Sequence, residues 1–177
     1  MKQKIKNNII LIGFMGSGKS SVGMYLAERI SYQFKDTDKM IEHKVHSTIS
    51  QVFSEHGEEY FRNLETDLLS ELVPNLNRAV LSTGGGMPIR EQNKALLKDL
   101  GYVVFLKASK QTTLNRLRGD STRPLLQGDD QEKKIERMLE LRTPIYEKTA
   151  HKIITTDGRS IPEISAMIME SYLKQIY

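Results

Sequence analysis

The sequence predicts an α/β fold in which a five-stranded parallel sheet carries helices on both faces. Five short apolar or β-branched runs have strand length, and the segments between them show helical periodicity. Strands that alternate with helices favour a parallel sheet, whose ligands bind at the carboxyl ends of the strands. The predicted strands are Asn8–Ile12, Gln33–Asp36, Ala79–Ser82, 102–106 and Lys152–Thr155.

The segments between these strands repeat apolar residues at the spacing of one helix face. Ser47 precedes a further apolar stretch and is predicted to cap a short helix that ends at Gly57. Residues 118–130 contain two glycines and one proline, so they are predicted to form a long mobile loop. The clearest helical periods are formed by Val22, Leu26 and Ile30, by Phe61, Leu64, Leu68, Leu69 and Leu72, and by Ile161, Ile164, Ile168, Tyr172 and Leu173.

Composition favours one soluble domain that spans residues 1–177. Hydrophobic residues make up 38% and charged residues 27%, as in ordinary globular proteins. No apolar stretch approaches the roughly 18 residues of a membrane span, and the first apolar run is too short for a signal peptide. The net charge of +4 is scattered, so nucleic-acid binding is not expected. Because the chain has no cysteine, we expect no disulfide, which is compatible with the reducing cytoplasm, where we expect the protein to lie. We also expect a monomer.

A glycine-rich segment follows the first predicted strand and leads into the first predicted helix. Residues 13–20 read GFMGSGKS, which matches the phosphate-loop pattern in the context that the pattern requires. Glycines let backbone N–H groups turn toward phosphate oxygens, and the helix adds the positive end of its dipole. Lys19 is expected to reach the β- and γ-phosphates, and the Ser20 hydroxyl to bind Mg²⁺. The loop predicts nucleotide binding, but it is shared by kinases, ATPases, GTPase switches and nucleotide-binding regulators.

Two carboxylates, Asp36 and Asp38, end the second predicted strand. Their spacing of two directs both to one side of a strand, where both could face one ligand. One could hold Mg²⁺, and the other could accept a hydrogen bond or a proton from a substrate hydroxyl. An acidic turn that opens the next helix explains them equally well.

Two arginines could receive an anionic group. Arg62 shares a helix face with Glu65, which could fix its guanidinium for two-point contact with a carboxylate, although such a pair is more often surface decoration. Arg142 could supply a second contact or instead cap a helix C-terminus. A third arginine, Arg123, lies in the predicted loop, where it could close over ATP or remain solvated.

Three consecutive glycines, Gly84, Gly85 and Gly86, follow the third predicted strand. They would allow the backbone to approach a ligand where a side chain would block it, although a flexible turn is the competing explanation. Four histidines are present, two of them three residues apart, but no third metal ligand is evident, so a zinc site is not expected.

Taken together, the segments GFMGSGKS, DTD, FRNLE, TGGG, RPLL and RTPIY resemble the shikimate kinase family in type, order and spacing over nearly the whole chain. The resemblance implies a P-loop kinase of the nucleoside-monophosphate-kinase type, with a three-layer α/β/α fold and strand order 2-3-1-4-5. It also implies substrate-binding helices at about 37–73 and a lid at about 116–130. The implied reaction transfers the γ-phosphate of ATP, with Mg²⁺, to the 3-hydroxyl of shikimate in chorismate and aromatic amino acid biosynthesis.

The resemblance also implies a role for each matching residue. Lys19, Asp38 and Arg123 would be catalytic. Ser20 and Asp36 would bind Mg²⁺. Ser21 stands where many family members carry threonine. ATP would contact Gly13, Gly16, Ser17, Gly18, Lys19, Ser20, Ser21, Arg116 and Arg123, and shikimate would contact Asp38, Arg62, Glu65, Gly84, Gly85, Gly86 and Arg142.

Two other functions fit the phosphate loop. A kinase of another small acceptor, such as gluconate or a nucleoside monophosphate, would use the same fold, although two arginines and an aspartate favour a polyhydroxylated carboxylate. A regulator that binds ATP without catalysis would be expected to lose its acceptor-side residues first, and all of them are present here.

Overall fold

The computed structural model describes residues 7–118, 124–126 and 130–176, and within these ranges five strands and seven α-helices alternate. Short 3₁₀ helices form at Met87–Ile89 and Pro124–Leu126. In chain order the main elements are β1 (Asn8–Ile12), α1 (Lys19–Arg29), β2 (Gln33–Asp36), α2 (Thr37–Val45), α3 (Ile49–Asn75), β3 (Ala79–Ser82), α4 (Glu91–Leu100), β4 (Tyr102–Lys107), α5 (Lys110–Leu117), α6 (Gln131–Thr149), β5 (Lys152–Thr155) and α7 (Ile161–Ile176).

The sheet has the order β2-β3-β1-β4-β5, and every pair of neighbouring strands is parallel. The predicted fold and strand order are therefore confirmed. The strand predicted at 102–106 continues one residue further, to Lys107. Because all strands run the same way, the segments that follow β1, β2 and β3 meet at one edge of the sheet.

Two separate cores cover the two faces of the sheet. Alternate residues of β1 point to opposite faces, so Ile10 and Ile12 pack with α3, α4 and α6, while Ile9 and Leu11 pack with α1 and α7. All four side chains are completely buried. Strand β1 is therefore the centre of the molecule, and the segment that follows it leaves from a fixed point.

Helix α3 begins differently from the prediction. Its N-cap is Thr48, not Ser47: the Thr48 hydroxyl accepts from the backbone N–H of Gln51, and the Gln51 side chain accepts from the backbone N–H of Thr48. This reciprocal pair is a capping box. Gly57 leaves the helical conformation with φ 80° and ψ 175°, as predicted, but a second helical segment starts directly after this kink.

The predicted loop at 118–130 and the implied lid at 116–130 fall largely outside the described residues, and Arg123 lies outside them. Within the described part of the chain, no helix combines the length and the hydropathy that a membrane crossing requires.

Candidate active site

The phosphate loop connects the buried end of β1 to the first residue of α1. Gly13 has a φ of 147°, and a Cβ at this position would lie 2.6 Å from the carbonyl oxygen of Leu106 on the neighbouring strand. Only glycine fits this turn without strain. Gly18 precedes α1 in a left-handed conformation, which turns the first N–H groups of the helix toward the loop.

Lys19 folds back into the loop. Its Nζ donates to the carbonyl oxygens of Gly13, at 2.9 Å, and Phe14, at 2.8 Å, and to the hydroxyl of Ser17, at 3.4 Å. The side chain is buried, with 8% of the residue exposed. The loop therefore holds one positive charge among backbone dipoles, where phosphate oxygens would be attracted.

Ser20 and Asp36 meet at the edge of the sheet. The Ser20 hydroxyl donates to Oδ2 of Asp36 at 3.1 Å and lies 3.3 Å from the hydroxyl of Ser82. Asp36 and Ser82 are register partners on β2 and β3, which explains why they converge. The other carboxylate oxygen of Asp36 accepts from the backbone N–H of Asp38 at 3.0 Å and caps α2. Asp36 therefore does both: it caps α2, and it contacts Ser20.

This donor set fits Mg²⁺, which prefers oxygen ligands and takes one or two carboxylates together with phosphate oxygens and waters. Within the described residues, no group of three or more His, Cys, Asp or Glu side chains could hold a metal ion. Phosphate oxygens would therefore have to complete the coordination at Ser20 and Asp36.

Two adjoining cavities occupy this edge of the sheet. The larger, of about 570 Å³, is lined by the phosphate loop and by Ser20, Ser21 and Asp36. The smaller, of about 70 Å³, is lined by both Arg62 and Arg142. The residues that line both cavities are Met15, Asp38, Ile49, Gly84 and Gly85.

Arg62 and Glu65 form a buried ion pair. Nη1 of Arg62 donates to Oε2 of Glu65 at 2.7 Å, and Nη2 donates to Oε1 of Glu58 at 2.8 Å. The Glu65 side chain is fully buried and that of Arg62 is 8% exposed, so the surface interpretation of the pair is wrong. Arg142 is also buried, with its guanidinium 5.8 Å from the ring centre of Phe14. It lies inside α6, seven residues before the end, so it does not cap the helix.

The carboxyl group of Glu65 has a raised pKa. Burial raises the pKa of its carboxyl to about 7, and the nearby Asp38 carboxylate acts in the same direction, against the attraction of Arg62 and Arg142. Its second oxygen, Oε1, is buried without a hydrogen-bond partner among the described residues. That oxygen lies beside Gly84, and Glu65 lines the smaller cavity.

The glycine triplet fits between these charged groups. A Cβ at Gly84 would lie 2.7 Å from Oδ1 of Asp38 and 2.9 Å from Oε1 of Glu65, and a Cβ at Gly86 would overlap the guanidinium of Arg62. A side chain at either position would displace a charged group. The triplet is therefore a close approach of backbone to these side chains, and the flexible-turn interpretation is insufficient.

The remaining predicted nucleotide contacts lie around the phosphate loop. Gly16, Gly18 and Ser21 line the larger cavity, and Ser17 is buried in the loop. Arg116, in the last turn of α5, donates to the carbonyl oxygen of Gly16 at 2.8 Å.

Sequence reasoning missed two residues that shape the site. The Thr37 hydroxyl accepts from the backbone N–H of Gly84 at 2.9 Å and so joins the start of α2 to the glycine triplet. The Tyr146 hydroxyl donates to the carbonyl oxygen of Gly85 at 2.5 Å. Tyr146 lies four residues after Arg142, on the same helix face, and that spacing was the available signal.

The parallel sheet of order 2-3-1-4-5, the phosphate loop after its central strand and the smaller cavity that adjoins the loop define a P-loop kinase. A model of the shikimate kinase family matches residues 15–176. The chain belongs to the shikimate kinase family and is an ATP-dependent kinase.

Individual relatives agree with this assignment. The shikimate kinase of Thioalkalivibrio sulfidiphilus is 43% identical over 166 residues, which cover 94% of this chain and 87% of the relative. That of Thermodesulfovibrio yellowstonii is 39% identical over 165 residues, with 93% and 94% covered. The structure of shikimate kinase from Acinetobacter baumannii in complex with shikimate aligns with a TM-score of 0.91 at 37% identity, covering 97% of this chain and 95% of that chain.

Proposed function

We propose that the protein transfers the γ-phosphate of ATP to the 3-hydroxyl of shikimate, which gives shikimate 3-phosphate and ADP for chorismate biosynthesis. One observation carries the proposal: Asp38, Gly84 and Gly85 line both cavities. A phosphoryl group could therefore pass from nucleotide to acceptor without leaving the site.

The nucleotide side is built to hold negative charge. Bound Mg²⁺-ATP supplies the phosphoryl group that is transferred. The loop N–H groups and Lys19 would hold its phosphates, and Ser20 and Asp36, whose side chains contact each other, would hold the metal ion. Arg116 already contacts the loop, and the family resemblance assigns Arg123 to the same charge-stabilising role.

The acceptor side suits a small polyhydroxylated carboxylate. Arg62 and Arg142 present two guanidinium groups in a pocket of about 70 Å³, which can bind a carboxylate by paired hydrogen bonds. Glu58 and Glu65 fix the orientation of Arg62, and Gly84, Gly85 and Gly86 provide a wall of backbone.

Asp38 faces the hydroxyl that is phosphorylated, because it lies where the two cavities join. It accepts a hydrogen bond from the attacking hydroxyl, and it takes the proton if proton transfer accompanies the attack. The remaining catalysis comes from alignment of the hydroxyl with the phosphorus atom and from the positive charge around the transferred group.

A coupled assay of ADP release with purified protein tests this proposal. Shikimate, quinate, gluconate and AMP are supplied separately with Mg²⁺-ATP, and the phosphorylated product is identified by ³¹P and ¹H NMR. We expect release to depend on shikimate and the product to carry phosphate at the 3-hydroxyl. Stimulation by gluconate or AMP, and not by shikimate, would reassign the acceptor.

We also propose that residues 1–177 act as one kinase domain, as a monomer in the cytoplasm, with substrate-binding helices at about 37–73 and a lid at about 116–130. Dependence on Mg²⁺ is tested by titration of EDTA-treated protein with MgCl₂. Light scattering after gel filtration tests the monomer, and the same column run with added DNA tests the expected lack of nucleic-acid binding.

A further inference from the structure

Tyr146 is a buried polar side chain to which the proposed reaction assigns no role. It lies on α6, one helical turn after Arg142, and its side chain is completely buried. Its ring packs against Phe105 of β4 with the ring centres 5.0 Å apart. The ring alone would satisfy a core position, so the hydroxyl needs a separate explanation.

The hydroxyl fixes one wall of the acceptor site. It donates to the carbonyl oxygen of Gly85 at 2.5 Å, and the guanidinium of Arg142 lies close enough for its charge to act on the pKa of the hydroxyl. Burial raises that pKa to about 12, against the opposing effect of the Arg142 charge. The hydroxyl thus gives its proton to the glycine triplet.

Gly85 is the point at which the acceptor side contacts the phosphate loop. A Cβ at Gly85 would lie 3.4 Å from both the carbonyl oxygen of Gly13 and the backbone nitrogen of Met15. A small rotation of the Gly85 peptide would therefore change the boundary between the two cavities. A fixed partner for its carbonyl prevents that rotation.

We propose that Tyr146 is a positioning residue for the acceptor, whose hydroxyl fixes the Gly85 peptide at the boundary between the two cavities. The inference rests on the proposed function and extends it, because it assigns part of the acceptor affinity to a residue outside the cavity lining. Without the hydroxyl, the Gly85 carbonyl loses its donor, and the peptide between the two cavities is free to rotate.

The test compares Tyr146→Phe with Tyr172→Phe. Tyr172 is equally buried but belongs to the core on the opposite face of the sheet, so the control makes the same chemical change away from both cavities. We measure kcat and KM for shikimate, the dissociation constant for ATP without acceptor, and the melting temperature. We expect Tyr146→Phe to raise the KM for shikimate roughly tenfold with ATP affinity within twofold, and Tyr172→Phe to change neither.

A third variant separates the hydroxyl from its packing. Phe105→Leu loosens the ring contact and keeps the hydroxyl, so we expect a lower melting temperature with a KM within threefold of wild type. If Tyr146→Phe left the KM for shikimate unchanged, or if Phe105→Leu raised it as much, the positioning role would be refuted. A wild-type protein inactive on shikimate would instead refute the proposed function, and this inference with it.

Discussion

Asp38 lines both cavities, and its part in the proposed reaction can be tested by one substitution. We expect Asp38→Asn to lower kcat by at least about 100-fold, because the amide cannot accept a proton and holds the attacking hydroxyl poorly. ATP binding should be unchanged, since the phosphate loop is untouched. Steady-state kinetics and a nucleotide-binding titration measure the two effects.

The matched control is Asp67→Asn, the same change at an exposed position of α3. It should leave kcat within twofold of wild type. If Asp38→Asn retained near-normal turnover, Asp38 would have no part in the chemistry.

The raised pKa of Glu65 predicts that its contribution to stability falls as the pH rises. Its pKa rises from 4.5 to about 7 on folding, so the folded protein binds more protons than the unfolded chain between these values. Relative to Glu65→Gln, the wild type should therefore lose stability as pH rises from 4.5 to 7, by up to about 3 kcal/mol. Urea unfolding of both proteins at pH 5 and pH 8 measures the difference, and an equal gap at both pH values would contradict the prediction.

The residues of the site were only partly predictable from sequence. The phosphate loop is predictable because its glycines and lysine are contiguous and the chemistry dictates each of them. Arg62 and Glu65 looked like a surface pair, since burial is set by the packing of α3 against distant elements. Thr37 and Tyr146 act through contacts to Gly84 and Gly85, which lie 47 and 61 residues away in the chain. Local patterns do not show such contacts, and the helical spacing of Tyr146 from Arg142 indicates only a shared helix face.

At the scale of single elements, the start of α3 tests the corrected helix cap. Thr48→Ala removes the hydroxyl that accepts from the Gln51 N–H, so we expect a loss of about 1 kcal/mol and a melting temperature lower by roughly 2–4 °C. Ser47→Ala, one residue earlier, should have almost no effect. Calorimetry of both variants decides the matter, and a larger effect at Ser47 would restore the original prediction.

The elements themselves were largely predictable, and the errors have local causes. Polar or glycine residues flank most of the strands, so four of five matched at both ends. The edge strands β2 and β5 are mostly exposed or half-buried, because each has a neighbour on one side only. The cap was misplaced because Ser47 and Thr48 are both good capping residues, and only Gln51, three residues after Thr48, distinguishes them. In α7 the period of the other residues is correct, but Ile161 and Leu173 are 38% and 44% exposed. Ile161 is the first residue of the helix, and Leu173 lies to the side of the buried face.

At the scale of the whole molecule, Asn8 joins elements that are distant in sequence. Its completely buried side chain donates to the carbonyl oxygens of Leu76, at 3.0 Å, and Leu100, at 2.8 Å, and accepts from the backbone N–H of Ala79 at 3.1 Å. Asn8→Ala would leave three buried backbone groups without this partner. We expect a loss of about 3 kcal/mol in the free energy of unfolding.

Urea denaturation measures this loss, with Asn7→Ala as the matched control at the adjacent exposed position. The control should change the unfolding free energy by less than about 0.5 kcal/mol. Equal effects from the two substitutions would show that Asn8 does not join these elements.

The architecture was predictable as far as alternating strands and helices allow. They predict a parallel sheet covered on both faces, but the order 2-3-1-4-5 came from the family resemblance, because periodicity does not specify which strands are neighbours. The division into two cores follows from the alternation along β1, whereas Asn8 looked like an ordinary first residue of a strand.

The folded-back arrangement of Lys19 has a consequence for the catalytic cycle. The lysine ammonium has the carbonyl oxygens of Gly13 and Phe14 as partners when no nucleotide is bound. We therefore expect it to return to these oxygens when ADP departs, so that no unpaired charge remains inside the protein. The electrostatic cost of emptying the site should then be small, which would favour product release.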